Sequence, residues 1–214
     1  MNGFRRPDLA AALALVCAVA ACGGAGNRAT LSPAAVARAD GGRPAYTRAD
    51  AHFMSGMIGH HAQAVLIAGW APSHGAGPAV RALCARIVVG QRDEIGLMQQ
   101  WLRERGEPVP DGDPAHFTMP GMDHAELMPG MLTPEQLARL DQSRGVEFDR
   151  LFLGFMIQHH QGAITMVEQL MGSNGAAQDE TIWKFASDVH ADQITEIDFM
   201  SRMLAELSTG QRSP

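Results

Sequence analysis

The stretch FLGFMIQHHQGA, residues 152–163, decides the fold, because it sets two adjacent histidines in an apolar helical run. A second stretch, FMSGMIGHHAQA at residues 53–64, has nearly the same pattern 99 positions earlier (152 − 53 = 99). Each copy places a methionine three residues before the first histidine, and residues three or four apart share one face of a helix. An internal repeat of this kind predicts two copies of one helical unit that pack together.

The repeat extends into a second helix of each unit, at a shift of 102 (193 − 91 = 102). Apolar residues three and four apart predict four long helices, and no stretch alternates as a β-strand does. Two helical hairpins with incomplete apolar faces predict an all-α four-helix bundle. The Met-rich segment 106–132, called the linker below, is then the crossover between the hairpins. The corresponding positions are Gln91, Glu94, Ile95, Met98 and Leu102 in the first copy and Gln193, Glu196, Ile197, Met200 and Leu204 in the second.

The N-terminus is predicted to direct export. Arg5 and Arg6 precede an apolar run that is too short to span a bilayer, and small residues lead directly to Cys22. This ending resembles a bacterial lipobox, so Cys22 is the predicted lipid attachment site, although an ordinary signal peptide with an incidental cysteine is the alternative. The expected organisation is a signal at 1–21, a flexible tether at 22–47, the bundle at 48–207 and a tail at 208–214. The protein is then anchored by lipid at the outer face of the cell membrane, or is periplasmic.

Charge and cysteine content narrow the possible partners. With 17 basic and 23 acidic residues and no basic stripe, the chain is not expected to bind nucleic acid. If Cys17 is lost with the signal and Cys22 carries lipid, Cys84 is left alone and no intrachain disulfide can form. We expect Cys84 to be a small buried apolar residue.

The repeated motif carries ligands for a soft metal. Thioether and imidazole together suit Cu(I), whereas imidazole alone suits Cu(II) or zinc. Adjacent histidines point about 100° apart on a helix, so a shared site needs the facing helix or the second copy. The carboxylate-rich Glu-x-x-His pattern of di-iron bundles is absent from the sequence, so iron is a weaker candidate than copper. Zinc is also expected to be less favoured than copper. The candidate ligands are Met57, His60, His61, Met156, His159 and His160.

Four polar residues on the predicted second helices accompany these ligands. Gln91, Glu94, Gln193 and Glu196 lie near the expected inner face, and we interpret them as partners that orient imidazoles rather than as ligands. The alternative is that the histidines only hydrogen-bond to such side chains and fix the register of the helices.

The linker is a signal for metal binding that does not depend on the repeated histidine motif. A Pro/Gly-rich loop gives its methionines no obvious packing role, and methionine–histidine clusters are typical of extracytoplasmic copper-handling proteins. The alternative is that these residues form an apolar lid on the open end of the bundle. The candidates are Met119, Met122, Met128 and Met131, with His116 and His124 among them.

The pattern Phe-Asp-x-x-Phe-Leu-x-x-Met-Ile-x-His-His-x-Gly-Ala at 148–163, with the earlier Met-Ile-x-His-His copy and the MPGM sequence at 128–131, resembles the CopM-like family. This family of exported bacterial proteins has long been catalogued as a domain of unknown function, and the resemblance covers roughly residues 48–207. It implies a ferritin-like four-helix bundle and, in some members, copper binding by the methionines and histidines of both copies and the linker. The first copy departs from the second, with Ala62 and Gln63 where the second has Gln161 and Gly162.

These observations favour an exported, membrane-anchored lipoprotein that buffers, sequesters or transfers copper, as Cu(I) rather than Cu(II), and that exchanges it with another copper-handling protein. Two alternatives stay open. One is a metalloenzyme with oxidoreductase activity whose histidines hold copper, iron or zinc, although the sequence identifies no general base or nucleophile. The other is a metal-free helical module that binds a protein partner through exposed methionines.

Overall fold

The computed structural model describes residues 45–112 and 127–209, and these ranges contain five α-helices and no β-strand. The prediction of an all-α chain is therefore confirmed. No helix in the two ranges combines the length and the apolar character that crossing a membrane requires. The helices are α1 (Arg48–Gly69), α2 (Pro78–Glu104), α3 (Pro134–Gln142), α4 (Gly145–Met171) and α5 (Glu180–Thr209).

The helix ends follow the local sequence signals. Thr47 caps α1 in a capping box, in which its hydroxyl accepts from the Asp50 amide and the Asp50 carboxylate accepts from the Thr47 amide at 2.7 Å. Thr133 and Gln136 form the same arrangement at the start of α3. Pro78 occupies the first turn of α2, where its missing N–H costs nothing.

The long helices form two antiparallel pairs. Tyr46, just before α1, packs edge-on against Trp101 near the end of α2, with ring centroids 5.1 Å apart. Arg150 near the start of α4 donates a hydrogen bond to the carbonyl of Leu207 near the end of α5, at 3.0 Å. The two pairs meet where α1 packs on α4.

Two aspartates at equivalent positions of the repeat tie each pair to the other. Asp50 in α1 accepts a hydrogen bond at 2.7 Å from the amide of Ala177, in the loop between α4 and α5. Asp149 in α4 accepts from the amide of Gly77, in the loop between α1 and α2, at 3.1 and 3.2 Å to its two oxygens. The start of each helix therefore lies beside the end of the other, so α1 and α4 are antiparallel and related by an approximate twofold axis.

The core consists of two apolar clusters with the four motif histidines between them. Met57 belongs to one cluster, together with Ala163 of α4, and Met156 belongs to the other, together with Ala64 of α1. Cys84 lies in the second cluster as a free, buried thiol, and burial is the main cause that raises its pKa to about 12. The interpretation of Cys84 as a buried apolar residue is confirmed.

The ties between the pairs predict a large effect of Asp50→Ala on stability. The substitution leaves the buried amides of Thr47 and Ala177 without their acceptor, so the free energy of unfolding should fall by about 2–4 kcal/mol. Urea denaturation measures this change. Asp93→Ala on the exposed face of α2 is the matched control and should change the free energy by less than about 0.5 kcal/mol. Equal effects of the two substitutions would contradict the assignment.

Candidate metal centre

Four histidines with no exposed surface lie where α1 crosses α4. The rings of His60 and His159 face each other across this contact, with centroids 3.8 Å apart and planes inclined by 37°. The second histidine of each motif points away from this pair, His61 toward α2 and His160 toward α5, because neighbouring positions on a helix diverge by about 100°. The packing thus joins the two motifs in one buried layer.

Backbone carbonyls fix the two central rings. His159 Nε2 donates to the carbonyl of His60 at 2.9 Å, and His60 Nε2 donates to the carbonyl of Pro129 at 2.9 Å. A carbonyl oxygen can only accept, so the proton of each ring is on Nε2 and the lone pair is on Nδ1.

Carboxylates approach the two outer rings at Nε2. His160 Nε2 donates to Glu196 Oε2 at 2.7 Å. His61 Nε2 lies 2.7 Å from Glu94 Oε2, but the two groups are not aligned for a hydrogen bond. Glu94 and Glu196 thus lie beside the histidines, in positions from which they can orient the rings. That they do so for metal binding stays a prediction.

The Nδ1 atoms of all four rings are buried and have no hydrogen-bond partner among the described residues. Burial, and then the neighbouring His61, lowers the pKa of His60 to about 3. Burial, and then His60, holds the pKa of His159 well below its usual range. These two rings are therefore neutral at physiological pH and keep their Nδ1 lone pairs free. A buried acceptor without a partner costs about 1–3 kcal/mol, which a bound metal ion would offset.

This arrangement fits a histidine-ligated metal. Metal-binding histidines usually donate the N–H of the other ring nitrogen to a carboxylate or a backbone carbonyl, which fixes the tautomer and the ring orientation. Here three Nε2 atoms donate in that way, to two carbonyls and to Glu196, and His61 Nε2 lies 2.7 Å from Glu94 without a hydrogen bond. The donor set, imidazole with nearby thioether, is the one that suits Cu(I).

The two motif methionines are not brought together. Met57 and Met156 are completely buried, each one turn from the histidines of its own helix. Because α1 and α4 run antiparallel, the two thioethers lie in different core clusters, on opposite sides of the histidine layer. Gln91 and Gln193 are also buried, and the Oε1 atom of each has no hydrogen-bond partner within residues 45–112 and 127–209.

No three His, Cys, Asp or Glu side chains in the described part of the chain converge in a geometry that could hold a metal ion. A metal centre built only from the described residues would therefore include a methionine thioether as a ligand, or would have fewer nitrogen ligands than a zinc site usually has.

The linker closes one side of the histidine layer and contacts both motif helices at one equivalent position of the repeat, Gly162 in α4 and Gln63 in α1. A Cβ atom on Gly162 would lie 1.9 Å from the carbonyl oxygen of Pro129, so only glycine admits this turn of the linker. At the equivalent position of α1, Gln63 exchanges two hydrogen bonds with the backbone of Leu132, at 2.7 and 3.1 Å. The Gly162-to-Gln63 difference therefore reflects two ways of holding one linker. Sequence reasoning missed these contacts and the Pro129 carbonyl, although the repeated Met-Pro-Gly-Met pattern marked the segment.

Packing accounts for the linker methionines that the structure describes. Met128 is 8 % exposed and belongs to the same core cluster as Met57, and Met131 packs against that cluster. The expectation that packing does not explain these residues is wrong for Met128 and Met131, and their role as ligands stays a prediction. The predicted sites Met119, Met122 and His124, with His116, lie outside the described residues, as does Cys22.

Comparison with known families identifies the chain. The family described as "Domain of unknown function (DUF305)" matches residues 50–204. The chain belongs to the DUF305 family. The resemblance to the CopM-like family, inferred from the histidine motifs, is confirmed, because solved structures similar to this DUF305 chain include both DUF305 proteins and CopM.

Three solved structures illustrate the similarity of this DUF305 chain. A DUF305 protein of Streptomyces coelicolor that is thought to be secreted is 27% identical, with a TM-score of 0.63, over 75% of this chain and 94% of that one. A DUF305 fragment from Deinococcus radiodurans is 26% identical, with a TM-score of 0.64, over 75% and 98%. CopM in its Cu(II)-bound form is 26% identical, with a TM-score of 0.57, over 73% and 96%. No match was found among curated proteins.

The contact at Gly162 predicts that Gly162→Ala displaces the linker. The added methyl group would overlap backbone atoms, so we expect the free energy of unfolding to fall by about 1–3 kcal/mol in urea denaturation. Gly154→Ala in the same helix is the matched control, because an added Cβ there meets nothing within 4 Å. It should raise stability by up to about 1 kcal/mol through helix propensity. A neutral Gly162→Ala would show that the turn does not pack as described.

The buried neutral histidines predict loss of stability in acid. Below the ordinary histidine pKa the unfolded chain binds protons that folded His60 and His159 do not, so stability is fully present above about pH 6.5 and falls as the pH drops toward the folded pKa values. Each ring should contribute a slope of about 1 kcal/mol per pH unit in denaturation of the metal-free protein between pH 6 and pH 5. His60→Gln should reduce the slope by one such contribution, and an unchanged slope would contradict the assignment.

Proposed function

We propose that this DUF305 protein is an exported copper-binding lipoprotein that buffers, sequesters or transfers copper through methionine and histidine ligands. The observation that carries the proposal is the buried histidine layer, in which every Nε2 faces a carbonyl or carboxylate and every Nδ1 has no described partner. The similarity to CopM, which has been solved in Cu(I)-bound and Cu(II)-bound forms, supports copper as the metal.

The bound species is Cu(I) rather than Cu(II), with zinc or iron less suited. Thioether sulfur is a soft ligand that selects Cu(I), and a completely buried methionine lies one turn from each histidine pair. Glu94 and Glu196 orient the outer rings, with Gln91 and Gln193 beside them. The remaining proposed ligands are Met119, Met122, His124, Met128 and Met131 of the linker.

The proposed fold is a four-helix bundle of the ferritin-like type, made of the pairs α1/α2 and α4/α5. The antiparallel packing of α1 on α4 and the reciprocal aspartate ties support it, because both relate the pairs by an approximate twofold axis. In such bundles, ligands project from facing helices into the interior, as the four histidines do here.

The proposed location is outside the cytoplasm, with lipid on Cys22 holding the protein at the outer face of the cell membrane or in the periplasm. The similar Streptomyces coelicolor protein, which is thought to be secreted, supports export. At that location the partner that delivers or receives copper would be another copper-handling protein.

Anaerobic competition with bicinchoninate, a coloured Cu(I) chelator, tests the proposal on the full chain. We expect the protein to remove Cu(I) from the chelator and to gain thermal stability, by about 3 kcal/mol at a free Cu(I) concentration 100 times the dissociation constant. Failure to compete with the chelator, together with an unchanged melting temperature, would falsify the copper function.

Glutamine substitutions separate ligand loss from unfolding. Glutamine can place an N–H near the position of histidine Nε2 but offers nothing at Nδ1, so His60→Gln and His159→Gln should stay folded and weaken Cu(I) binding more than about tenfold. His74→Gln is the matched control, because His74 is also buried but both of its ring nitrogens already have partners. Its affinity should equal that of the parent protein, and equal affinities in all three variants would exclude the histidine layer as the site.

A further inference from the structure

A groove of about 280 Å³ lies between α2 and α5, on the outer side of the histidine layer. Three carboxylates line it, Glu94 from α2 and Asp192 and Glu196 from α5. Arg86 also lines the groove, but its guanidinium is held over the ring of Phe199, at 5.3 Å from the centroid. The groove is therefore predominantly acidic.

The groove reaches the buried histidines through two of these carboxylates. Glu94 and Glu196 are about one quarter exposed, at 25% and 24% of their side-chain surface, whereas His61 and His160 have none. One oxygen of each carboxylate lies 2.7 Å from Nε2 of its histidine. Each glutamate thus touches solvent and a proposed ligand at the same time.

Two further oxygens in the groove have no partner in the part of the chain that the structure describes. Gln91 and Gln193 line it and are 4% and 3% exposed, and neither Oε1 has a hydrogen-bond partner among the described residues. A carbonyl oxygen left without a donor offers a binding contact to a passing cation. Burial, and then the charges of Glu94, Asp188 and Glu196, raise the pKa of Asp192, so these carboxylates repel one another and a cation between them would relieve the repulsion.

The opposite side of the histidine layer is closed by the linker. Pro129 and Gly130 lie against the backbone of α4 at Gly162 with no room for a methyl group, and the Pro129 carbonyl is bonded to His60. An ion approaching from that side would have to displace backbone that is held by Gln63 and Gly162. The α2–α5 groove requires no such movement of backbone.

We propose that the groove between α2 and α5 is the route by which a soft cation passes between solvent and the buried histidines, with Glu94 and Glu196 at its inner end. The inference rests on the copper-binding function proposed above. It assigns Asp192 and the two glutamates to the rate of metal exchange, since a cleft lined by charge of one sign concentrates ions of the opposite sign and speeds their association.

Removal of one negative charge from the groove tests whether these carboxylates speed the exchange of the metal ion. Cu(I) is given anaerobically to the full chain as its cationic acetonitrile complex, and a chelator captures unbound ion at set times. Asp192→Asn should slow loading and unloading about threefold or more at 0.15 M salt and leave the equilibrium affinity within about twofold. Asp93→Asn is the matched control, because it removes an equal charge from the exposed surface of α2 outside the groove. Salt screens such distant charges, so its rates should equal those of the parent.

Partial blockage of the groove tests the route itself. Gly90 lines the groove, and an added Cβ there meets nothing within 4 Å, so Gly90→Phe should fill space without disturbing the helix. Loading should slow about tenfold. Gly96→Phe is the control, since Gly96 lies on the same helix with the same open surroundings but outside the groove.

The outcomes distinguish this inference from the copper function. If the parent protein binds Cu(I) and both groove variants load as fast as their controls, the route is wrong and the copper function stands. If Asp192→Asn weakens equilibrium affinity as much as it slows loading, Asp192 is a ligand and the route is again wrong. If the parent protein does not bind Cu(I), both proposals fail together.

Discussion

The hydrogen bond from the His159 imidazole to the backbone carbonyl of His60 is the interaction on which the rest of the structure depends. It joins the two helix pairs at 2.9 Å and brings the two rings to a centroid distance of 3.8 Å. Charge on both of these buried rings would be unfavourable, and burial is the main cause that holds the pKa values of both below their usual range. Neutral rings anchored at Nε2 leave Nδ1 as the basic atom.

Local signals predicted most of the helical architecture. Apolar spacing identified the four long helices, and Thr47 and Thr133 marked helix starts because their capping boxes depend on residues within one turn. The repeat predicted that α1 and α4 would bring the histidine pairs together. This prediction requires only that the two similar apolar faces pack against each other. Periodicity does not define the start of α4, which begins at Gly145 with a φ of +58°.

Long-range contacts could not be predicted from the same signals. The sequence contains Gln63 and Gly162 at equivalent positions, but their difference is explained only by a linker turn that docks across both helices. The separation of Met57 from Met156 follows from the antiparallel relation of α1 and α4, which no local periodicity specifies. The burial of Met128 likewise depends on where the linker returns to the bundle.

The structural and the metal-binding interpretations of the histidines are compatible, because they concern different ring nitrogens. His74 is a buried histidine with a purely structural role, and both of its ring nitrogens have partners. Its Nδ1 lies 2.9 Å from Ser73 Oγ, and its Nε2 lies 2.9 Å from the carbonyl of Asp141. Three of the four motif histidines use Nε2 in a hydrogen bond in the same way, and all four leave Nδ1 buried without a described partner. Four such acceptors in one layer are a cost that packing and register alone do not require, since an apolar residue of similar size would avoid it. Metal binding, which needs unprotonated imidazole nitrogens in the interior, would explain why the protein keeps four such buried acceptors.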